Sequence, residues 1–177
     1  MKQEYRISKG SLELNGKLVQ TRIVEVCSYF EHETNFFFAQ EMIKKNTLRI
    51  VRPLITLSFQ KENNDNEMWK EGFTYELVGK AFGIFKSGGI HYIHVTKIDQ
   101  ENKTITTIEK NDVAKIWNHS LTFQKIDDAR TKYTDKVELH SGISTPLFAR
   151  YLVWFYKVRH RNWNRLLTSL KNLPPKI

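Results

Sequence analysis

From residue 104 to residue 140 the chain alternates between apolar and polar positions. In "RTKYTDKVELH" one side of an extended segment collects Thr131, Tyr133, Asp135, Val137 and Leu139. In "KIWNHSLTFQKI" it collects Trp117, His119, Leu121 and Phe123. In "KTITTIEK" it collects Ile105, Thr107 and Glu109, although Ile108 argues for the opposite side. A period of two marks strands covered on one face, and the short polar turns "DQENK" and "DDA" make such neighbours antiparallel. "GIHYIHVTKID", following Gly88-Gly89, adds a strand with His91, Ile93 and Val95 on one side. "MWKEGFTYELVGK" adds another, with Trp69, Glu71, Phe73, Tyr75 and Leu77 in alternation. Nearer the start, Asn15-Gly16 supplies the positive backbone angles of a two-residue hairpin. Between Arg22 and Gln60, "IVEVCSYFEHETNFFFAQEMIKK" has room for one or two short helices, Pro53 interrupts, and "LITLSFQ" reads as strand. "KENNDNE" is a polar loop.

The period changes in "STPLFARYLVWFYKVRHRNWNRLLTSLKNLPP". Thr145 is an N-cap candidate, Pro146 fits the first helical position, and Pro174-Pro175 forbid continuation. Such a helix runs about 40 Å at 1.5 Å per residue. On a helical wheel Phe148, Leu152, Phe155, Arg159, Trp163, Leu166 and Leu170 share a face, with Arg150, Lys157 and Arg161 opposite. Arg159 is thus the one cation of this helix expected to point inward. A buried guanidinium needs an anion or a route to water, and Asp135 is the inward carboxylate the strands offer.

A sheet of about six antiparallel strands with one long amphipathic helix across its apolar face predicts an α+β domain spanning residues 1–177. The inward polar positions are Arg159, Asp135, His119, Glu109 and His91, set among the aromatics Trp117, Phe123, Tyr133, Phe155 and Trp163. A core seldom tolerates that many polar groups unless each has a partner or water, so these ten residues form the candidate ligand-binding set. The simpler alternative is an Arg–Asp structural clamp with satisfied histidines.

Composition narrows the function. Forty per cent hydrophobic residues, with 11 Phe, 7 Tyr and 4 Trp, support a substantial interior. The single cysteine, Cys27, excludes an intramolecular disulfide and paired-cysteine zinc sites. Absence of a signal-peptide pattern or an apolar span leads to the expectation of a cytoplasmic protein. The formal net charge is +9, and from Gly142 onward there is no acidic residue. Nucleic acid is nonetheless not expected as a partner, because the aromatics of the last helix lie predominantly on its inner face. Transient contact of the basic face with a membrane surface is compatible with the pattern. "GKAFGIFKSGG" lacks the spacing of a phosphate-binding loop. The histidines of "HYIH" face opposite sides and cannot chelate one metal, and His32 in "FEHE" is expected on a solvent-facing helix. No cofactor and no metal are expected.

The strands "WNHSLTF" and "TKYTDKVELHSG", followed by a long helix with "FYKVRHRNWNRLL", resemble the helix-grip superfamily of START lipid-transfer domains, the Bet v 1 fold and polyketide cyclases, known together as SRPBCC. The likeness runs from about Met68 to Lys171 and is one of pattern, without a catalytic signature; the N-terminal third departs from it. It implies a curved antiparallel sheet wrapped around the C-terminal helix, two short helices after the first strand, and a cavity for an apolar small molecule. Two functions follow from that likeness. One is binding or transport of a small hydrophobic or amphipathic ligand, with Arg159, Asp135 and His119 orienting its polar end. The alternative is a polyketide cyclase-like enzyme in which His119 near Asp135 moves a proton and Arg159 stabilises an enolate-like charge.

Overall fold

A computed structural model describes residues 1–52, 54–60, 68–81 and 85–172. "KENNDNE", Pro53 and the Pro174-Pro175 stop lie outside the described residues, as does part of "GKAFGIFKSGG". Asn15 and Gly16, at φ 51° and 76°, turn the chain between Gln3–Leu14 (β1) and Lys17–Phe30 (β2) as the Asn-Gly pair foretold. Two short helices follow β2, not the first strand: Thr34–Met42 (α1) and Lys44–Ile50 (α2). The Glu33 carboxylate starts α1 by accepting from the backbone N–H groups of Asn35 and Phe36 at 2.8 and 2.7 Å. The remaining strands are Ile55–Phe59 (β3), Thr74–Ala81 (β4), Phe85–Asp99 (β5), Thr104–Lys110 (β6), Ile116–Lys125 (β7) and Thr131–His140 (β8), and Thr145–Lys171 (α3) closes the fold.

The strands form one antiparallel sheet of eight, not about six, in the order β1-β2-β8-β7-β6-β5-β4-β3. Register breaks between Val78 and Gly79 and between Val95 and Lys97 mark bulges, which bend strands and increase local twist. Gly89 sits at the first of these, on a β5 that begins before the glycine pair rather than after it. At φ 71° it lies in the left-handed region that favours glycine, and a Cβ there would have to displace the Asp112 carboxylate. The curled sheet grips α3, which packs most heavily on β2.

The alternation from Thr104 to His140 holds: Ile105, Thr107 and Glu109 are buried while Ile108 is exposed, and Thr131, Tyr133, Asp135, Val137 and Leu139 are buried. Three expectations need correction. Trp69–Phe73 is not strand; Gly72 at φ +79° turns the chain there, Phe73 is exposed, and β4 starts at Thr74. Thr145 lies inside α3 after Ser144, its hydroxyl donating to the Gly142 carbonyl at 2.6 Å. His32 is buried in the bend before α1, not solvent-facing and not helical.

The buried arc of α3 is also wider than a one-face wheel allows, because the sheet wraps around it. Leu152 and Val153, Phe155 and Tyr156, Arg159 and His160 are buried as adjacent pairs. Arg150 and Arg161 face water as expected, whereas Lys157 is half-buried with its ammonium 4.1 Å from the Tyr5 ring centre. Not all aromatics turn inward: Tyr151 and Trp154 are 40% and 44% exposed.

Candidate functional site

Asp135, fully buried in β8, is the hub of a polar cluster. Its Oδ1 accepts from His119 Nε2 at 2.7 Å, from an Arg159 guanidinium nitrogen at 2.6 Å and from the Tyr133 hydroxyl at 3.2 Å. Its Oδ2 accepts from His160 Nε2 at 2.7 Å. Burial alone would raise this carboxyl, but the Arg159 charge and the bonds from His119 and His160 outweigh it and hold Asp135 well below the usual carboxylate range.

His119 joins Asp135 to a second carboxylate. Its Nδ1 lies 3.0 Å from Glu109, which also accepts from the Thr107 hydroxyl at 2.9 Å and from His91 Nε2 at 2.7 Å. Burial would depress the His119 imidazolium, yet its bonds to Asp135 and Glu109 lift it to about 9. Glu109 is driven low against its own burial by the same histidine bonds. Since both nitrogens of His119 meet carboxylates, the ring is a double donor and carries its proton at neutral pH.

Geometry assigns the donor and acceptor nitrogens of His91. Asn111 Oδ1 accepts the backbone N–H groups of Val113 and Ala114 at 2.9 and 2.8 Å, so its amide nitrogen must face His91 Nδ1, at 3.0 Å. That leaves His91 Nδ1 as acceptor and Nε2 as donor to Glu109. His160 Nδ1 lies 2.7 Å from the Ser28 hydroxyl, and burial lowers its affinity for a second proton despite Asp135.

Arg159 bridges two acids, reaching Glu41 on α1 with its other terminal nitrogen at 2.8 Å. Glu41 is the cluster's odd member. Among the described residues its second oxygen has only the Tyr133 hydroxyl, at 3.4 Å, and that single hydrogen is closer to Asp135. Burial pushes the Glu41 carboxyl up to about 7, with the Arg159 charge pulling the other way.

A cavity of about 260 Å³ opens between the sheet, α2 and α3. Its walls are mainly aliphatic and aromatic, with Ile93, Val95, Ile105, Leu121, Leu152 and Phe155 in the middle. Val113 and Tyr151, both lining it and both partly exposed, stand at its mouth. Glu41, His91, Glu109, Asn111, His119 and Arg159 give it one polar region. Thr47 and Trp117 also line it, but the Thr47 hydroxyl and the Trp117 indole nitrogen are themselves sealed from it, buried without a hydrogen-bond partner among the described residues. The Trp117 N–H approaches the Tyr156 hydroxyl without completing a bond of ordinary geometry.

Of the residues chosen from sequence, His91, Glu109, Trp117, His119, Phe155 and Arg159 line the cavity. Phe123, Tyr133 and Trp163 do not. They interlock with Phe37 as core, with ring centres 5.0, 5.1 and 5.3 Å from it. Asp135 stands behind the wall, anchoring His119 and Arg159. Sequence reading missed Glu41, Thr47, Asn111, Tyr156 and His160. Among the described residues no cluster of His, Cys, Asp or Glu is arranged to hold a metal ion, and no helix is long and apolar enough to cross a membrane.

Set beside known proteins, the chain matches no family model and no curated protein sequence. Solved structures do match it. A START superfamily protein from Mycobacterium smegmatis superposes with a TM-score of 0.60 at 10% identity, over 84% of this chain and 98% of that one. CalU16 from Micromonospora echinospora gives 0.61 at 6% identity, over 96% of this chain and 90% of that one. Norcoclaurine synthase from Thalictrum flavum, in complex with dopamine and hydroxybenzaldehyde, gives 0.62 at 10% identity over 87% and 89%. This is the START and Bet v 1-like helix-grip fold, an antiparallel sheet curved around a C-terminal helix.

Proposed function

We propose that this protein binds a predominantly apolar small molecule in the cavity between sheet and α3, as a carrier or sensor. The supporting observation is an apolar hollow of about 260 Å³ with polar groups gathered in one region. That volume falls slightly below the ~300–1,000 Å³ of pockets that take drug-sized ligands, so the molecule is small. The norcoclaurine synthase neighbour, solved with two small aromatic molecules, supports a ligand of this scale.

The cyclase-like alternative is weaker. It asks His119 to act as base, whereas that ring donates from both nitrogens and keeps its proton to about pH 9. Proton transfer in this cavity would fall to Glu41, which no observation favours over binding.

The test is thermal unfolding with small neutral aromatic and aliphatic compounds, beside native mass spectrometry of freshly purified protein. A ligand at about a hundred times its Kd adds ~2.7 kcal/mol, which for a domain of this length raises Tm by roughly 5–10 °C. A Leu152→Trp variant, which fills the hollow, should lose that shift. No shift with any compound, and no co-purifying mass, would overturn the proposal.

A further inference from the structure

We infer that the outward face of α3, together with the rim of the cavity mouth, docks on the surface of an anionic lipid bilayer. This goes beyond the cavity reading and is tested without any added ligand.

The first observation is an apolar ridge in the open. Leu147, Tyr151 and Trp154 follow one another at spacings of four and three residues, so they share one side of α3 over about 10 Å. Leu147 is 70% exposed, and the partly exposed rings of Tyr151 and Trp154 stand 5.7 Å apart. Ile143, fully exposed, precedes the helix in a turn whose Ser141 hydroxyl donates to the Val113 carbonyl. That bond ties the exposed Val113, in the loop between β6 and β7, to the same turn. Since Tyr151 and Val113 also line the cavity, the ridge borders its mouth. Apolar groups gathered on a surface in this way mark a place of contact.

The second observation is charge. Arg150, Arg161 and Arg165 are exposed on the outward side of α3, and the helix contains no Asp or Glu. On the rim the exposed Asp112 is outweighed by the exposed Lys110 and Lys115. A second copy laid face to face would set arginine against arginine with no carboxylate on either helix, and such like-charge contacts are costly. Nucleic acid would satisfy the arginines but leave Ile143, Leu147 and Val113 against a polar backbone. An anionic bilayer meets every part: Trp and Tyr favour the headgroup level, aliphatic side chains reach the acyl boundary, and arginines pair with the head groups. A protein seated on the ridge would stopper the mouth, whereas lipid is continuous with the apolar hollow behind it.

The experiment is co-sedimentation with vesicles of phosphatidylcholine alone and with about 30% phosphatidylserine, at about 0.1 and 0.5 M NaCl. The wild-type protein should partition at least about tenfold more strongly onto the phosphatidylserine vesicles at low salt, with a smaller preference at high salt. Each arginine at such a surface is worth about fivefold, so Arg150→Gln with Arg161→Gln should lose about tenfold or more on those vesicles. Leu147→Ser with Trp154→Ser should lose about tenfold without any change of charge. All four side chains are exposed, so far-UV circular dichroism and Tm should match wild type. Wild-type protein that binds neither vesicle, or that instead dimerises or binds duplex DNA, would overturn the inference. So would a folded Leu147→Ser, Trp154→Ser variant that binds as wild type does, because charge alone would then account for the association. The wild-type comparison of the two vesicles decides the matter even if a variant does not fold.

Discussion

The two carboxylates that share Arg159 sit in unlike surroundings. Asp135, on the β8 side, collects an arginine, two histidines and a tyrosine. Glu41, on the α1 side, has the arginine and one long contact. Both are buried, so burial does not distinguish them; the number of donors does. Asp135 is locked in its charged form and acts as a strut, whereas Glu41 is balanced near neutrality at the cavity wall. The rigid half of the cluster fixes His119 and Arg159, and the lightly held half faces whatever enters.

Removing the strut should have the largest effect. Asp135→Ala leaves Arg159 and His119 with too few acceptors in a buried site, and breaking a buried pair in this way costs about 3–5 kcal/mol. The denaturant midpoint should drop accordingly with an unchanged slope. A loss under about 1 kcal/mol would show that Asp135 is not the hub.

Glu41 gives the next test, through pH. Its carboxyl rises from 4.5 to about 7 in the folded state, so the folded chain holds a proton the unfolded chain has released. Its contribution to stability is complete below pH 4.5 and is lost as pH climbs through 7, on the order of 3 kcal/mol in all. His119 acts in the same direction over a higher window, because its proton is held to about 9 against 6.5 when unfolded. Glu41 and His119 should therefore each contribute a decline between pH 5 and pH 9, while the lowered proton affinities of His32 and His160 contribute a rise as pH approaches 6.5. Glu41→Gln should flatten the lower decline and spare the upper one, as read from unfolding curves across that range. A wild-type stability that, relative to Glu41→Gln, fails to fall between pH 5 and 7 would contradict the assignment to Glu41.

That contrast also separates what the sequence made legible from what it hid. Asp135, His119 and Glu109 lie on strands covered on one face, where a period of two states directly which side chains turn inward. Glu41 lies on a helix whose start is set by the Glu33 side chain and whose segment "NFFFAQEM" is apolar on several sides, so no stripe pointed to it. One signal was available: Glu41 follows Phe37 by four residues and hence shares its face. His160 was hidden for another reason. A wheel drawn for a helix lying on a flat sheet allows one buried face, but this sheet curls, and residues a full 100° from Arg159 are still covered. The Trp69–Phe73 alternation was coincidence, overruled by the turn at Gly72. The fold is thus read from periodicity, while the site depends on residues contributed by a short helix and by curvature, which periodicity does not encode.

The smallest expected effect concerns Thr47, which resembles Glu41 in being buried at the cavity wall with too few partners. A hydroxyl left unpaired is a cost, and replacing it with a methyl group of like shape removes that cost. Thr47→Val should therefore stabilise the ligand-free protein by up to ~1 kcal/mol, seen as a small rise in the denaturant midpoint. A variant that is less stable without ligand would mean the hydroxyl is already satisfied by water in the empty cavity. The wall on the α2 side would then hold a bound water rather than an unpaired hydroxyl, and its contrast with Asp135 would lie in hydration as well as in the number of donors.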